Sequence, residues 1–426
     1  MRTLLIAFPE PSSRWGGERL RKLCEPLLVL GWRPVFLATT ERSARRMHGE
    51  YSQFDWLDGY EVVRAPDASP YVAGSAVRRV LRRRSAVDTG PGVVATAGGA
   101  TSRPLTLRIL NRVWLPDAYA GWVPFAFAAG LRAIRRTRPA AIFSSYPPAS
   151  SHLVALLLHR ATGLPWIADF RDPWSRADEQ TYPTGSPHVA AALERAALRH
   201  ATLVTAVGPT LAEILSARTS TPVHVLPQGF DAAAVPDGAT KEKGDALRVV
   251  HMGTLARWPS DPGPLLRAAE RAVAAGAAIR IEQFGQTFAV DDEIAYAVAA
   301  GFLSVHEPVS RDEALQQIAA ADVAVVIRTE PGRLWITTKL WDYLAARTPV
   351  LSIADPESDV SRLVTTTGAG VAVPYWDEDA IVAALIALHN RWRGGDLRWE
   401  PVDEELERYD SRRVASELVQ LLDGMA

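Results

Sequence analysis

Two stretches put charged side chains where a strand gives way to a loop or a helix. The first is IADFRDPW, Ile167 to Trp174, in which Asp169, Arg171 and Asp172 follow the apolar run LPWIA. Charges at a strand end face a ligand or one another. A carboxylate there can orient or deprotonate a hydroxyl, and a guanidinium can fork onto phosphate oxygens. The competing reading is a structural network in which Arg171 bridges Asp169 and Asp172. Asp172, followed by Pro173, is expected to hold Arg171 and the turn.

The second stretch is TTKLWDYLAARTPVL. Thr337 or Thr338 can cap a helix, and Leu340, Trp341, Leu344 and Ala345 form its buried stripe. Lys339 and Asp342 are three residues apart and share another face near the first turn. A cation at a helix N-terminus opposes the dipole. An anion bound beside it would explain the choice, and a carboxylate one turn in can accept hydrogen bonds from ribose hydroxyls. A surface Lys–Asp pair stands equally against this.

Two glycine loops add weaker signals. PEPSSRWGGERL carries Gly16 and Gly17 between a strand and a helix, where a ligand can approach backbone N–H groups. HMGTLARWPSDPG holds Gly253 at a strand end and Arg257 nearby, suited to a pyrophosphate or to pairing with Asp261. Neither is a GxGxxG or a Gly-Lys-Ser/Thr motif, so nicotinamide binding and ATP hydrolysis lose support. The serines of SSYPPASSHL could contact a polyol but are expected mostly as caps and turn formers.

These residues need elements to position them. TLLIAF, a Gly/Pro loop, the helix ERLRKLCEPLLVLG and the strand RPVFLATT form a strand, loop, helix, strand unit of a parallel sheet. The same grammar restarts at LRVVHMGTL and continues through PLLRAAERAVAAG, IRIEQFG, RDEALQQIAAA, DVAVVIR, TKLWDYLAAR and PVLSIA. The expectation is an α/β chain of two Rossmann-like, doubly wound domains facing a cleft. The boundaries are 1–227, a linker at 228–245, 246–405, and a C-terminal helix at 406–426 that crosses back to the N-terminal domain.

Between Pro66 and Arg138 the alternation fails. SAVRRVLRRRS holds five arginines, and DTGPGVVATAGGATS reads as a loop. A solvated helical face and an interfacial patch, with arginines on phosphate head groups and aromatics at the acyl boundary, weigh evenly. Peripheral membrane contact through 78–138 is therefore carried as an expectation.

Bulk properties set the outer limits. A chain of 426 residues exceeds one ordinary core. A net charge of −1 offers no field for nucleic acid, and no such partner is expected. Cys24 is the single cysteine, which excludes an internal disulfide and a cysteine metal site. The first apolar run, Leu4 to Phe8, is short for a signal peptide, and GWVPFAFAAG is short for a membrane span. A cytoplasmic protein is expected, touching a membrane only at its surface.

Taken in order, the early Gly-Gly loop, SSYPPAS, WIADFRDPW, LPQGFD, HMGTL, IEQFG, ADVAVVI and TTKLWDYLAARTPVL resemble the GT4-like group of GT-B-fold retaining glycosyltransferases. The resemblance implies a nucleotide-sugar donor on the C-terminal domain and an acceptor on the N-terminal one. It implies Asp342 at the ribose, where Glu is usual, Lys339 and Arg257 at the diphosphate, Gly253 and Thr254 close to it, and Gly285 in the base-side loop. Gly16 and Gly17 would line the donor phosphate or the acceptor. Asp169 would stand where many relatives carry a His, facing the acceptor hydroxyl, with Arg171 beside it.

Three departures are visible. The usual Arg and Lys-Gly phosphate motif after the MG strand is absent, Leu334 stands eight residues before Asp342 in place of an acid, and Asp169 replaces a His. The implied chemistry is transfer through an oxocarbenium-like transition state, with fixed cations offsetting charge on the leaving diphosphate. No cofactor or metal is implied. The acceptor class, whether glycan, lipid-linked intermediate or natural-product scaffold, stays open, and so do two rivals: a nucleotide-sugar 2-epimerase of the same fold and a non-catalytic GT-B binding module.

Overall fold

The computed structural model of the chain describes residues 1–13, 16–48, 56–69, 116–175, 187–236, 244–288, 290–329, 334 and 336–425. The chain divides into two compact units, residues 1–226 together with 415–426, and residues 227–414.

Unit 1 runs β1 (Arg2–Ala7), α1 (Gly17–Val29), β2 (Trp32–Thr39), α2 (Glu41–His48), β3 (Glu61–Ala65), α3 (Val123–Thr137), β4 (Ala141–Tyr146), α4 (Ala149–Thr162), β5 (Trp166–Phe170), α5 (Pro187–His200), β6 (Leu203–Ala206), α6 (Pro209–Ser216) and β7 (Val223–Val225). Its strands are all parallel, in the order β3-β2-β1-β4-β5-β6-β7. β4 and β5 are buried along their whole length, as strands covered by helices on both faces must be. α1 turns Leu20, Leu23, Cys24 and Leu27 inward and ends before Gly31, whose φ of +86° only glycine adopts without strain. α3 carries Pro124 in its first turn, where a missing N–H costs nothing. Its small-residue face lets α4 approach: a Cβ on Gly130 would lie 2.8 Å from Leu158.

Unit 2 runs β8 (Leu247–Met252), β9 (Leu255–Ala256), α7 (Gly263–Ala274), β10 (Ile279–Phe284), β11 (Thr287–Phe288), α8 (Asp291–Ala299), β12 (Leu303–His306), α9 (Arg311–Ala320), β13 (Val323–Ile327), α10 (Thr338–Ala345), β14 (Val350–Ile353), α11 (Asp359–Thr366), β15 (Gly370–Val373), α12 (Glu378–Gly394) and α13 (Asp403–Glu407). A last helix, α14 (Ser411–Asp423), begins here, and its residues from 415 onward belong with unit 1, where Asp423 meets Arg2 at 2.8 Å. The main sheet is parallel in the order β12-β10-β8-β13-β14-β15. A two-stranded parallel ladder, β9 with β11, extends the ends of β8 and β10.

Both sheets reverse their winding beside the first strand, between β1 and β4 and between β8 and β13. Ligands of doubly wound sheets bind outside the carboxyl ends of the strands at such points.

Two sequence expectations need qualifying. The segment expected as a linker contains Phe230, which is buried, donates its N–H to Tyr409 O at 2.8 Å and accepts from Ser411 N at 2.9 Å. Backbone pairing ties this part of the segment into unit 2. The arginine-rich and Gly/Ala/Thr-rich runs, and with them most of 78–138, lie outside the described residues. Among the described residues no helix is long and apolar enough to cross a membrane.

Candidate functional site

In unit 2 the chemistry gathers at the ends of β8, β10 and β13 and the start of α10. Thr337 is the N-cap of α10 and accepts from Lys339 N at 3.2 Å. The buried stripe is the expected one, with Tyr343 added: its hydroxyl accepts from Met252 N at 3.1 Å and donates to Val325 O at 3.3 Å. This bond fixes the helix against β8 and β13. Lys339 is thereby laid on Gly253, where a Cβ would lie 2.4 Å from Lys Cε and 2.5 Å from Nζ. Gly253 has a φ of +100° and Gly285 one of +132°, and a Cβ on Gly285 would lie 2.4 Å from Gly253 O. Both positions need glycine for conformation and for space.

The electrostatics are one-sided. Burial, then the nearby Arg328 guanidinium, pushes the Lys339 ammonium down to about 8. Among the described residues no carboxylate lies within ion-pairing distance of it. An ammonium in the first turn of α10 marks a place where an anion is favoured.

Asp342 is half-buried and accepts from Arg311 at 3.2 Å. The two residues that the spacing placed on one face therefore point to different neighbours, Lys339 to Gly253 and Asp342 to Arg311. Thr254 is exposed. Arg257 is 63% exposed and meets Glu293 at 3.8 Å, while Asp261, the alternative partner to a phosphate, accepts from Gly263 N. The structure thus brings together Lys339, Gly253 and Gly285 and does not bind Arg257 into their cluster.

In unit 1 Asp169 lies inside a buried ion-pair network. Its carboxylate is fully buried and takes Arg19 Nε at 3.0 Å and Nη2 at 2.7 Å, Ser145 Oγ at 2.7 Å and Thr205 Oγ1 at 2.8 Å. Burial works against the charge, but Arg19 and the two hydroxyls hold the carboxyl below its ordinary range. Such a carboxylate has neither the access nor the basicity to take a proton from an acceptor. It clamps α1 to β4, β5 and β6, and Arg19 also reaches Leu226 O at 2.9 Å.

Arg171 fares differently. It is only partly buried, donates to Pro147 O, and lies 5.7 Å above the Phe8 ring. A Cβ on Gly16 would lie 3.1 Å from its Nη2. The loops after β1, β4 and β5 therefore meet at this guanidinium. Gly17 opens α1. Ser144 accepts from Trp166 Nε1 and joins His152 Nδ1, both at 2.8 Å, so this serine is structural. Nearby, Asp117 receives Ser150 N and Oγ at 2.7 Å and caps α4.

Sequence reasoning missed Arg19, Arg328, Arg311, His251 and Gln283. Arg19 is separated from Asp169 by 150 residues, and no local pattern links them. His251 and Gln283 did leave a signal, as polar residues inside the apolar strands RVVHM and IEQF.

Residues 91–229 match the family model of the glycosyl transferase 4-like domain. The matched stretch includes Asp169 and Arg171 but not Arg19. Solved structures extend the likeness across both units. Sucrose-phosphate synthase from Thermosynechococcus elongatus matches with a TM-score of 0.67 at 13% identity, over 100% of this chain and 99% of that one. HepE of Anabaena in complex with UDP matches with a TM-score of 0.63 at 10% identity, and the lipopolysaccharide outer core galactosyltransferase WaaB with 0.60 at 12%, each over 100% of both chains. The two Rossmann-like units are those of the GT-B fold. Curated protein sequences give no match.

Proposed function

We propose that this protein is a retaining glycosyltransferase that uses a nucleoside-diphosphate sugar as donor. The observation that carries the reading is the Lys339–Gly253 contact: a desolvated ammonium with no carboxylate partner among the described residues, at a helix N-terminus, beside the switch point of the second sheet. A diphosphate supplies the missing negative charge. The HepE structures with UDP and with UDP-glucose support a nucleotide-sugar ligand for this fold.

In this reading Asp342, steadied by Arg311, takes the ribose, and the positive φ of Gly253 and Gly285 lets phosphate and base approach the backbone. As the glycosidic bond breaks, charge builds on the leaving diphosphate and positive charge on the sugar. Lys339 and the α10 N-terminus are fixed in place for the former. In unit 1, Arg171 is a polar side chain at which the loops after β1, β4 and β5 meet, and it serves as a contact for the acceptor or donor phosphate. Asp169 acts through Arg19 as a brace and touches neither substrate. The nucleotide sugar is a substrate, and the chain's own cations supply the charge the leaving group needs.

The test is nucleotide release from a panel of UDP-, GDP- and ADP-sugars with and without hydroxyl acceptors. Release that depends on an acceptor, with the α-configured donor giving an α-linked product, supports the reading. Interconversion of the sugar without an acceptor would identify a 2-epimerase, and no binding of any donor would leave a non-catalytic module.

A further inference from the structure

His251 and Gln283 are a buried polar pair that the proposed function leaves without a role. We infer that they are positioning residues: they turn the peptide between Gly253 and Thr254 so that the Thr254 N–H faces the diphosphate beside Lys339. The inference rests on the reading of unit 2 as a donor site.

The bonding pattern fixes the direction of every proton. His251 and Gln283 stand opposite one another in the register of β8 and β10 and are 3% and 0% exposed. The Gly253 carbonyl can only accept, so the Gln283 amide nitrogen donates to it. The amide oxygen then faces His251 Nδ1 at 2.5 Å, and since it cannot donate, Nδ1 carries the proton. Burial, with the Lys339 charge behind it, pushes His251 down to about 3, so the ring is neutral in use. Two polar side chains inside a sheet are costly unless satisfied. Here each satisfies the other, and the chain of bonds ends on a single carbonyl.

That carbonyl controls the next amide. Gly253 N already donates to Phe284 O at 2.6 Å, so β10 holds Gly253 at both ends. In a trans peptide the N–H of one residue points opposite to the C=O of the residue before it. With Gly253 O turned toward Gln283, the Thr254 N–H is turned away from β10. Among the described residues it has no hydrogen-bond partner, and Thr254 is exposed. Lys339 Nζ lies against the same glycine. A backbone donor and an ammonium beside one Cα suit the oxygens of a diphosphate. An apolar pair in place of His251 and Gln283 would keep the strands and release the carbonyl, and the peptide could then rotate its donor away.

The experiment is calorimetric titration of the full chain and of Gln283→Met with UDP, GDP, ADP, inorganic pyrophosphate and the matching nucleosides. Gln283→Met should weaken pyrophosphate and the nucleoside diphosphate about tenfold, the effect of one hydrogen bond to a charged group, and leave the nucleoside unchanged. Should the variant fail to fold, the unaltered protein gives the answer. The Thr254 amide, assigned in threonine-labelled protein by its loss in Thr254→Ser, should shift on adding pyrophosphate. A folded Gln283→Met with unchanged pyrophosphate affinity, or a Thr254 amide unmoved at saturation, overturns the inference and leaves the donor-site reading standing. An unaltered protein that binds no nucleoside diphosphate and no pyrophosphate overturns both.

Discussion

The Lys339 ammonium lies on the bare Cα of Gly253, so close that a methyl group there would sit 2.5 Å from Nζ. One contact joins the end of the first strand of unit 2 to the first turn of α10. Gly253→Ala should therefore act twice. It places a Cβ at a φ of +100°, a strain of about 1–3 kcal/mol, and it expels the lysine. Chemical denaturation should show the lost stability, and the thermal shift that saturating nucleoside diphosphate gives the unaltered protein should disappear.

Lys339→Met separates binding from stability. The ammonium is desolvated and sits near Arg328, so removing it should raise Tm by a few degrees while nucleoside diphosphate affinity falls by about two orders of magnitude, the exchange common at strained sites. The pH dependence follows from the folded value of about 8, which is lower than the ordinary 10.5. The free protein should gain stability as pH rises from about 8 toward 10.5, because only the unfolded chain still holds the proton. Diphosphate affinity should fall over the same rise. Both trends should be missing from Lys339→Met, and affinity that stays flat to pH 9.5 would remove Lys339 from the site.

Asp169→Asn is expected to damage the fold before the chemistry. It leaves the Arg19 guanidinium, which is 1% exposed, without its counter-charge, a loss of about 3–5 kcal/mol. The double change Arg19→Met, Asp169→Leu should recover much of it. Because the folded carboxyl is held below its ordinary range, this contribution is present at neutral pH and fades as pH falls through that lowered value. An Asp169→Asn enzyme with an unchanged Tm and no transfer would restore a direct role at the acceptor.

Glu10 offers a test at the other end of the pH scale. Burial, assisted by Asp67 and opposed by a hydrogen bond with Tyr119, pushes it up to about 8. The folded protein prefers the neutral acid, so stability is complete below the ordinary carboxyl range and is lost as pH rises toward 8. Glu10→Gln mimics the neutral form. Its Tm advantage over the unaltered protein should grow from pH 5 to pH 8 and then level off, whereas a constant difference would mean that Glu10 is ionised throughout.

The sequence by itself determined the parallel sheets, because continuous apolar strands alternating with amphipathic helices have few other ways to bury their surfaces. It also marked α10, since a threonine cap, a leucine and tryptophan stripe and a misplaced lysine are all local signals within one helix. Only the tertiary structure decided what each charge meets. Arg19 and Asp169 lie 150 residues apart in sequence, and a carboxylate facing a substrate and one sealed by an arginine look alike in the string IADFRDPW. The same holds for Lys339 and Asp342, whose three-residue spacing places them on one helical face but cannot say that one turns to Gly253 and the other to Arg311. The dielectric around a charge and the partner it finds come from elements packed against it, and those elements arrive from distant parts of the chain.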